Sequence, residues 1–233
     1  MRILPALLLA AVAATPAQAA IVKYEFTATV ATVAAWPSGT ANGGFVDSSS
    51  IAGPIISLGD TWTGTLFYET DRQLTPWPLQ QPPGGSFLGY AGYAASTIVD
   101  AQTGLSFHSN PVDFNPPHMS VHDMPVGGTD FIVINTYASG ANLESGSFMF
   151  TDGDGSVFSS AVPPPGLDLA DFLYATVHYG FTDANGDLLS VDARITSLAS
   201  TDLPPPVPEP STYAMLGLGL AALAMTRRSG SRT

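Results

Sequence analysis

Four histidines punctuate the chain, and three of them, His108, His118 and His122, fall close together with Asp113 and Asp123 among them. Imidazoles and carboxylates are the ligand types of a zinc site. His118 and His122 stand four apart, the spacing of one helix face; Pro116 and Pro117 would open such a helix, and Pro125 would stop it within two turns. No Glu lies between the two histidines, so the zinc-protease arrangement is missing. The alternative is a polar loop with solvated histidines. Calcium is a second candidate, at Asp183-Ala184-Asn185-Gly186-Asp187, which matches the front half of a calcium loop. Where an EF-hand needs a bidentate Glu, this chain has Arg194, and a hairpin turn accounts for the same residues without an ion. Asp152-Gly153-Asp154-Gly155 offers the same choice between a weak calcium site and ordinary turn chemistry.

Other chemistries find less support. A Gly-x-Ser-x-Gly elbow is absent, because Gly104-Leu105-Ser106-Phe107-His108 ends on the wrong residue. The single lysine, Lys23, rules out a phosphate loop with its own Lys. Any two of the many acids could be nominated as a glycosidase pair, so that pattern carries no information. Trp36, Trp62 and Trp77 could stack on sugar rings, but Trp62 sits on an apolar strand face and is expected in the core. Trp77, between Pro76 and Pro78, is the candidate for an exposed stacking contact with a sugar ring. No catalytic residue is nominated, and a non-enzymatic domain without a resident cofactor, calcium aside, is the expectation; a carbohydrate-binding module, with or without calcium, is the alternative, and a metal-dependent enzyme built on His108, His118 and His122 comes third.

Composition narrows the partners. All 19 acidic residues lie between Glu25 and Glu209, and across residues 20–208 18 acids face only Lys23, Arg72 and Arg194, a formal charge of −15. Such a surface repels nucleic acid and anionic membranes, which are bound by clustered Lys and Arg. It favours solubility, divalent cations or neutral partners such as polysaccharide. The absence of cysteine excludes disulfides, thiolate metal sites and cysteine nucleophiles.

The elements that must position these residues read as strands. From Ile21 to Val30 apolar and polar side chains alternate, with Val22, Tyr24, Phe26, Ala28 and Val30 on one face. Residues 38–50 read as a Gly/Ser-rich loop, 60–69 as a strand with Trp62, Leu66 and Tyr68 on one face, and 74–85 as a proline-rich surface loop. Further strands are expected at 96–99, 105–108, 131–137 and 147–151. In Phe131-Ile132-Val133-Ile134 both faces are apolar, which predicts a central strand covered on both sides. Near the end, a hairpin brings Leu173, Ala175, Val177, Tyr179 and Phe181 against Leu189, Val191, Ala193 and Ile195. A two-residue Asn-Gly turn would mix the two faces. A three-residue loop, Ala184-Asn185-Gly186 with Gly186 left-handed, pairs Phe181 with Leu189 and Tyr179 with Val191, and sets His178 opposite Asp192. No helical period precedes Ser211. These strands predict an all-β, antiparallel β-sandwich over residues 20–199, with jelly-roll and immunoglobulin-like topologies both open.

The two ends read as routing segments. Arg2, an apolar stretch to Ala14 and the small-residue signal Ala17-Gln18-Ala19 form a secretory signal peptide over 1–19, cleaved before Ala20. Residues 200–206 are a stiff proline-rich linker. Then come Val207, the box Pro208-Glu209-Pro210, Ser211 and Thr212, an apolar run over 211–226, and Arg227-Arg228 opening a basic tail to 233. The run is about 24 Å long as a helix, short for a bilayer core of about 30 Å. The two arginines would extend it to the cytoplasmic headgroups and set a positive-inside orientation, which predicts one short transmembrane helix.

This combination at the end of an exported chain resembles a PEP-CTERM sorting signal. The resemblance implies a Gram-negative host and an exosortase, an integral-membrane protease that recognises the tail, acting after signal peptidase. It also implies a transient stay in the inner membrane and release to the cell surface or an exopolysaccharide matrix. It carries no activity for the domain.

Overall fold

The computed structural model describes residues 21–40, 42–70, 86–91, 94–110, 118–123, 128–138, 142–157 and 164–201. The chain divides into two units, Met1–Asp202 and Leu203–Thr233. The signal peptide, the proline-rich loop with Trp77, Asp113 and the whole sorting tail, including the run expected as a transmembrane helix, lie outside the described residues. Among the described residues no helix is long and apolar enough to cross a membrane.

The described residues form thirteen strands: β1 (Ile21–Trp36), β2 (Gly44–Phe45), β3 (Ser48–Ser49), β4 (Ile56–Ser57), β5 (Thr61–Glu69), β6 (Ser86–Ala91), β7 (Ala94–Asp100), β8 (Leu105–His108), β9 (His118–Asp123), β10 (Phe131–Ala138), β11 (Leu143–Thr151), β12 (Tyr174–Thr182) and β13 (Leu188–Ser200). Helical structure among the described residues is one 3-10 turn, Leu169–Asp171, capped by the Asp168 side chain. The main sheet runs β6-β9-β10-β11-β12-β13-β1-β5-β7-β8, with β2 added beside β1, and every strand pair is antiparallel. The expected antiparallel sandwich is met. The order left open by the sequence runs through consecutive neighbours from β9 to β13 and at β7–β8, and is joined by the non-consecutive pairs β6–β9, β13–β1, β1–β5 and β5–β7.

This one sheet folds over itself so that its β5-β7-β8 end covers β10, β11 and β12. Between the layers Phe26 meets Phe148 edge-on at 5.3 Å, and Tyr179 receives the rings of Trp62 at 6.2 Å and Phe107 at 5.9 Å. Two polar contacts also cross the gap: Ser96 Oγ to Thr136 Oγ1 at 2.6 Å, and the Asn110 amide to the Tyr137 carbonyl at 2.9 Å. Such buried hydroxyls fit a core only when they are paired, and Thr136 completes its set by donating to the Gly146 carbonyl at 3.0 Å. At one margin Tyr24 and Tyr68 stack at 6.1 Å and hold the segment before the 3-10 turn. The Leu167 amide donates to Tyr24 Oη at 2.7 Å, and Tyr68 Oη donates to the Pro164 carbonyl at 3.1 Å. Burial, reinforced by the neighbouring Tyr24, pushes the Tyr68 hydroxyl far above its ordinary value, so it stays a donor.

β1 is longer than its alternation suggests. Tyr24, Phe26, Ala28 and Val30 are buried, and beyond them Val33 and Ala35 turn to the core while Ala34, between them on the outer face, is covered as well. The cause is an irregularity between Val30 and Thr32, where the partner strand steps only from Ala193 to Asp192. The extra residue, Ala31, flips the parity of all that follows. The strand 131–138 also departs from expectation. Ile132 and Ile134 are fully buried, but Phe131 and Val133 are only half-buried, so β10 is covered on one face. The apolar outer residues are served by neighbours within the sheet: Phe131 stacks on His122 of β9 with centroids 3.6 Å apart.

The hairpin β12–β13 forms in the register derived from its buried face. Phe181 pairs with Leu189, Tyr179 with Val191 and His178 with Asp192. Gly186 has φ +85°, the left-handed conformation that the three-residue loop requires.

Candidate functional site

Alternation along the strands sends Val177, Tyr179, Val191 and Ala193 into the core and puts His178 and Asp192 on the outer face of the sheet. The register then lines up one residue from each of six adjacent strands: Thr32, Asp192, His178, Ser147, Asn135 and His118. Much of this row is hydrogen-bonded along its length. Thr32 Oγ1 donates to Asp192 Oδ2 at 3.0 Å, and His178 Nδ1 meets Asp192 Oδ1 at 2.8 Å. The hydrogen bond from His178 is the main reason the Asp192 carboxyl is held below the usual range; partial burial opposes it, and Thr32 helps. With Nδ1 committed as donor, a neutral His178 ring leaves Nε2 as an acceptor beside Gly180. At the far end Asn135 Nδ2 lies 2.9 Å from His118 Nε2, and the Tyr137 hydroxyl, raised in pKa by burial, lies 3.5 Å from His118 Nδ1.

The adjacent row, two residues further along the strands, has a different character. It runs Phe45, Ala34, Ser190, Gly180, Ser145 and Tyr137, so small residues lie between two rings. A Cβ at Gly180 would meet Ser145 Oγ at 2.8 Å and His178 Nε2 at 3.5 Å, so the glycine keeps this floor low beside the imidazole. Beyond it Trp36 pairs with Leu188, and both are exposed, at 42% and 38%. The backbone of Gly43 lies so close to Trp36 that a side chain there would run into the indole, which holds the ring in place.

The histidines of the sequence reading are spread over the fold. His118 and His122 are on a strand, β9, not on a helix, because the alternation of Met119 and Val121 into the core dictates period two. Four residues of strand separate them by about 13 Å, too far for one zinc with bonds of about 2 Å. His108 lies on β8, exposed, with Nε2 3.0 Å from Ser106 Oγ. Asp123 ends β9. Among the described residues no three His, Asp or Glu side chains converge as metal ligands.

His122, on the outer face, is covered by its stack with Phe131 and is 5% exposed, and burial pushes its pKa down to about 4. The unfolded chain, with an ordinary histidine near 6.5, binds the proton first as pH falls. Stability contributed by neutral His122 is therefore complete above about pH 6.5 and drains away down to about pH 4. After allowing for the ring's partial contact with solvent, the loss is about 1–2 kcal/mol. Urea unfolding between pH 7 and 4 should show His122→Phe losing less stability than the parent by that amount; equal pH slopes would contradict it.

In both acidic turns the carboxylates accept backbone amides. Asp183 Oδ1 accepts the amides of Asn185 and Asp187, each at 2.8 Å, and Asp187 Oδ1 accepts the Ser38 amide. Asp152, buried, accepts the amides of Ser156 at 2.8 Å and Val157 at 3.2 Å. Its burial alone would raise the carboxyl, but the backbone donors outweigh it and hold it low. Trp62 is buried as expected. Trp36, named with Trp62 and Trp77 as able to stack on a sugar ring, is exposed at the end of β1, ahead of the turn residues Pro37-Ser38-Gly39.

At the C-terminus, residues 206–228 match the family model of the PEP-CTERM protein-sorting motif. No curated protein and no solved structure matches the chain.

Proposed function

We propose that this chain, whose tail carries the PEP-CTERM protein-sorting motif, is a non-catalytic surface or exopolysaccharide-matrix protein. The motif at residues 206–228 carries the reading, since it implies processing by an exosortase and export to the cell envelope or surface. On this reading signal peptidase first cuts between Ala19 and Ala20. The apolar run then holds the chain briefly in the inner membrane, and processing near Pro208-Glu209-Pro210 frees the domain.

The domain supports a passive or binding role over a catalytic one. Strand amides beneath the His178 row are engaged in the ladder, which leaves that face without the paired free donors of an oxyanion hole. A negative domain carrying three bases suits an extracellular setting with neutral partners. Carbohydrate binding is the second reading, favoured by the exposed Trp36 beside a row of hydrogen-bonding side chains. Fractionation of a host with an exosortase tests the main one. The full chain should appear in the surface fraction and a chain ending at Pro206 should not; an identical distribution of the two would contradict it.

A further inference from the structure

We propose that the outer face of the sheet binds a neutral polysaccharide lying across the strands, from Trp36 and Phe45 on β1 and β2 to Tyr137 on β10. The surface proposed above, on which this assignment rests for its natural ligand, is where such a polymer would be met.

Three features select this occupant. The first is the pairing of unlike walls. Trp36, Phe45 (83% exposed) and Leu188 present apolar surface at one end and along one side, and Leu143, 72% exposed, continues that side. The facing side is the hydrogen-bonded row of Thr32, Asp192, His178 and Asn135. A sugar ring has the same two-sided character, with apolar C–H faces that pack on aromatic rings and hydroxyl edges that seek donors and acceptors. Nε2 of His178, beside Gly180, and the hydroxyls of Ser190, Ser145 and Ser147 supply those partners at successive strands.

Spacing is the second feature. Neighbouring strands lie about 4.8 Å apart, so the path from β2 to β10 spans roughly 20–25 Å. That interval is close to the rise of one hexose in an extended chain, and each strand therefore meets about one sugar. A trough running across the strands repeats the same backbone geometry at every step.

Charge is the third. The only charge on the row of Thr32 to His118 at neutral pH besides any histidine proton is Asp192, whose two carboxylate oxygens already have partners. Arg194, two residues beyond Asp192 on the same face, is among the described residues the one base bordering it. Set in a domain of net charge −15 between residues 20 and 208, a single arginine does not offset the repulsion of a polyanion. Uronate, sulfate and phosphate polymers are disfavoured, and a neutral chain is not.

Affinity electrophoresis of the purified mature protein tests the assignment, with glucan, mannan and galactan as neutral probes and polygalacturonate as the anionic one. At least one neutral probe should retard the protein. Trp36→Ala, which removes an exposed ring, and Ser190→Tyr, which fills the floor, should each weaken retardation tenfold or more. Thr63→Tyr, on the outer face of β5, should leave it unchanged, and unaltered melting temperatures would show that all three variants fold. No retardation by any neutral probe, retardation by polygalacturonate alone, or binding lost on Trp77→Ala but kept in both trough variants would overturn it. Because the assay uses purified protein, its failure is separate from any failure of sorting.

Discussion

Trp62→Ala should destabilise the domain by about 3–5 kcal/mol, the range for deleting a buried aromatic side chain. The indole is fully buried and meets Tyr179 edge-on with an interplanar angle of 88°. Tyr179 also receives Phe107, so Trp62 is one of three rings that join the β5-β7-β8 end of the sheet to β12. A cavity here would separate the layers at their aromatic centre. For a domain with 5–15 kcal/mol in total, that is a large share. The indole also brings a liability: Trp62 Nε1 is buried without a hydrogen-bond partner. Trp62→Phe keeps much of the ring and removes the orphaned donor, which otherwise costs about 1–3 kcal/mol. Its loss should therefore be less than half that of Trp62→Ala in urea unfolding. Equal losses for the two variants would show that ring volume at this position does not hold the layers together.

Gly64→Ala should be nearly as damaging, by the opposite mechanism. Gly64 lies on the inner side of β5, paired with Phe26 on β1 and Ile98 on β7. A Cβ there would overlap the Thr97 carbonyl oxygen and lie 2.8 Å from the Phe26 ring. The first obstacle is backbone, so relief requires β5 and β7 to part. Overpacking typically costs about 1–3 kcal/mol and more where the backbone must move, and about 3 kcal/mol is expected. A shift in the urea midpoint with an unchanged slope would report it as stability. A loss below about 1 kcal/mol would mean that the two strands separate freely at this point.

Much of this architecture was legible wherever a strand kept a strict period of two. The β12–β13 hairpin is the clearest case. Only one loop length keeps Phe181, Tyr179 and Val177 opposite Leu189, Val191 and Ala193, and that requirement alone set His178 against Asp192. Legibility ended where the period was interrupted. Ala31 hides the second half of β1 from any alternation count, and with it the placement of Thr32 beside Asp192 and of Trp36 beside Leu188. The outer row was out of reach for another reason. Ser147, Asn135 and His118 join it through strand order, a property of the whole sheet that no local window contains. The histidines show the same limit. Spacing of four suited a helix face, but Met119 and Val121 were needed in the core, and burial of those two made the segment a strand.

The tail was legible for a reason unrelated to packing. A proline-flanked glutamate, an apolar run and two arginines are a linear message read by another protein, so their spacing in sequence is their function. The fold upstream is then cargo, and its stability and its outer face can be tested apart from its route.

The central claim, that this is an exported domain cut free from its own sorting tail, is tested most directly by the intact mass of the protein recovered from the cell surface. The expected species begins at Ala20 and ends near Pro208-Glu209-Pro210, lacking Arg227 and Arg228. A mature surface species that still contains both arginines would contradict it.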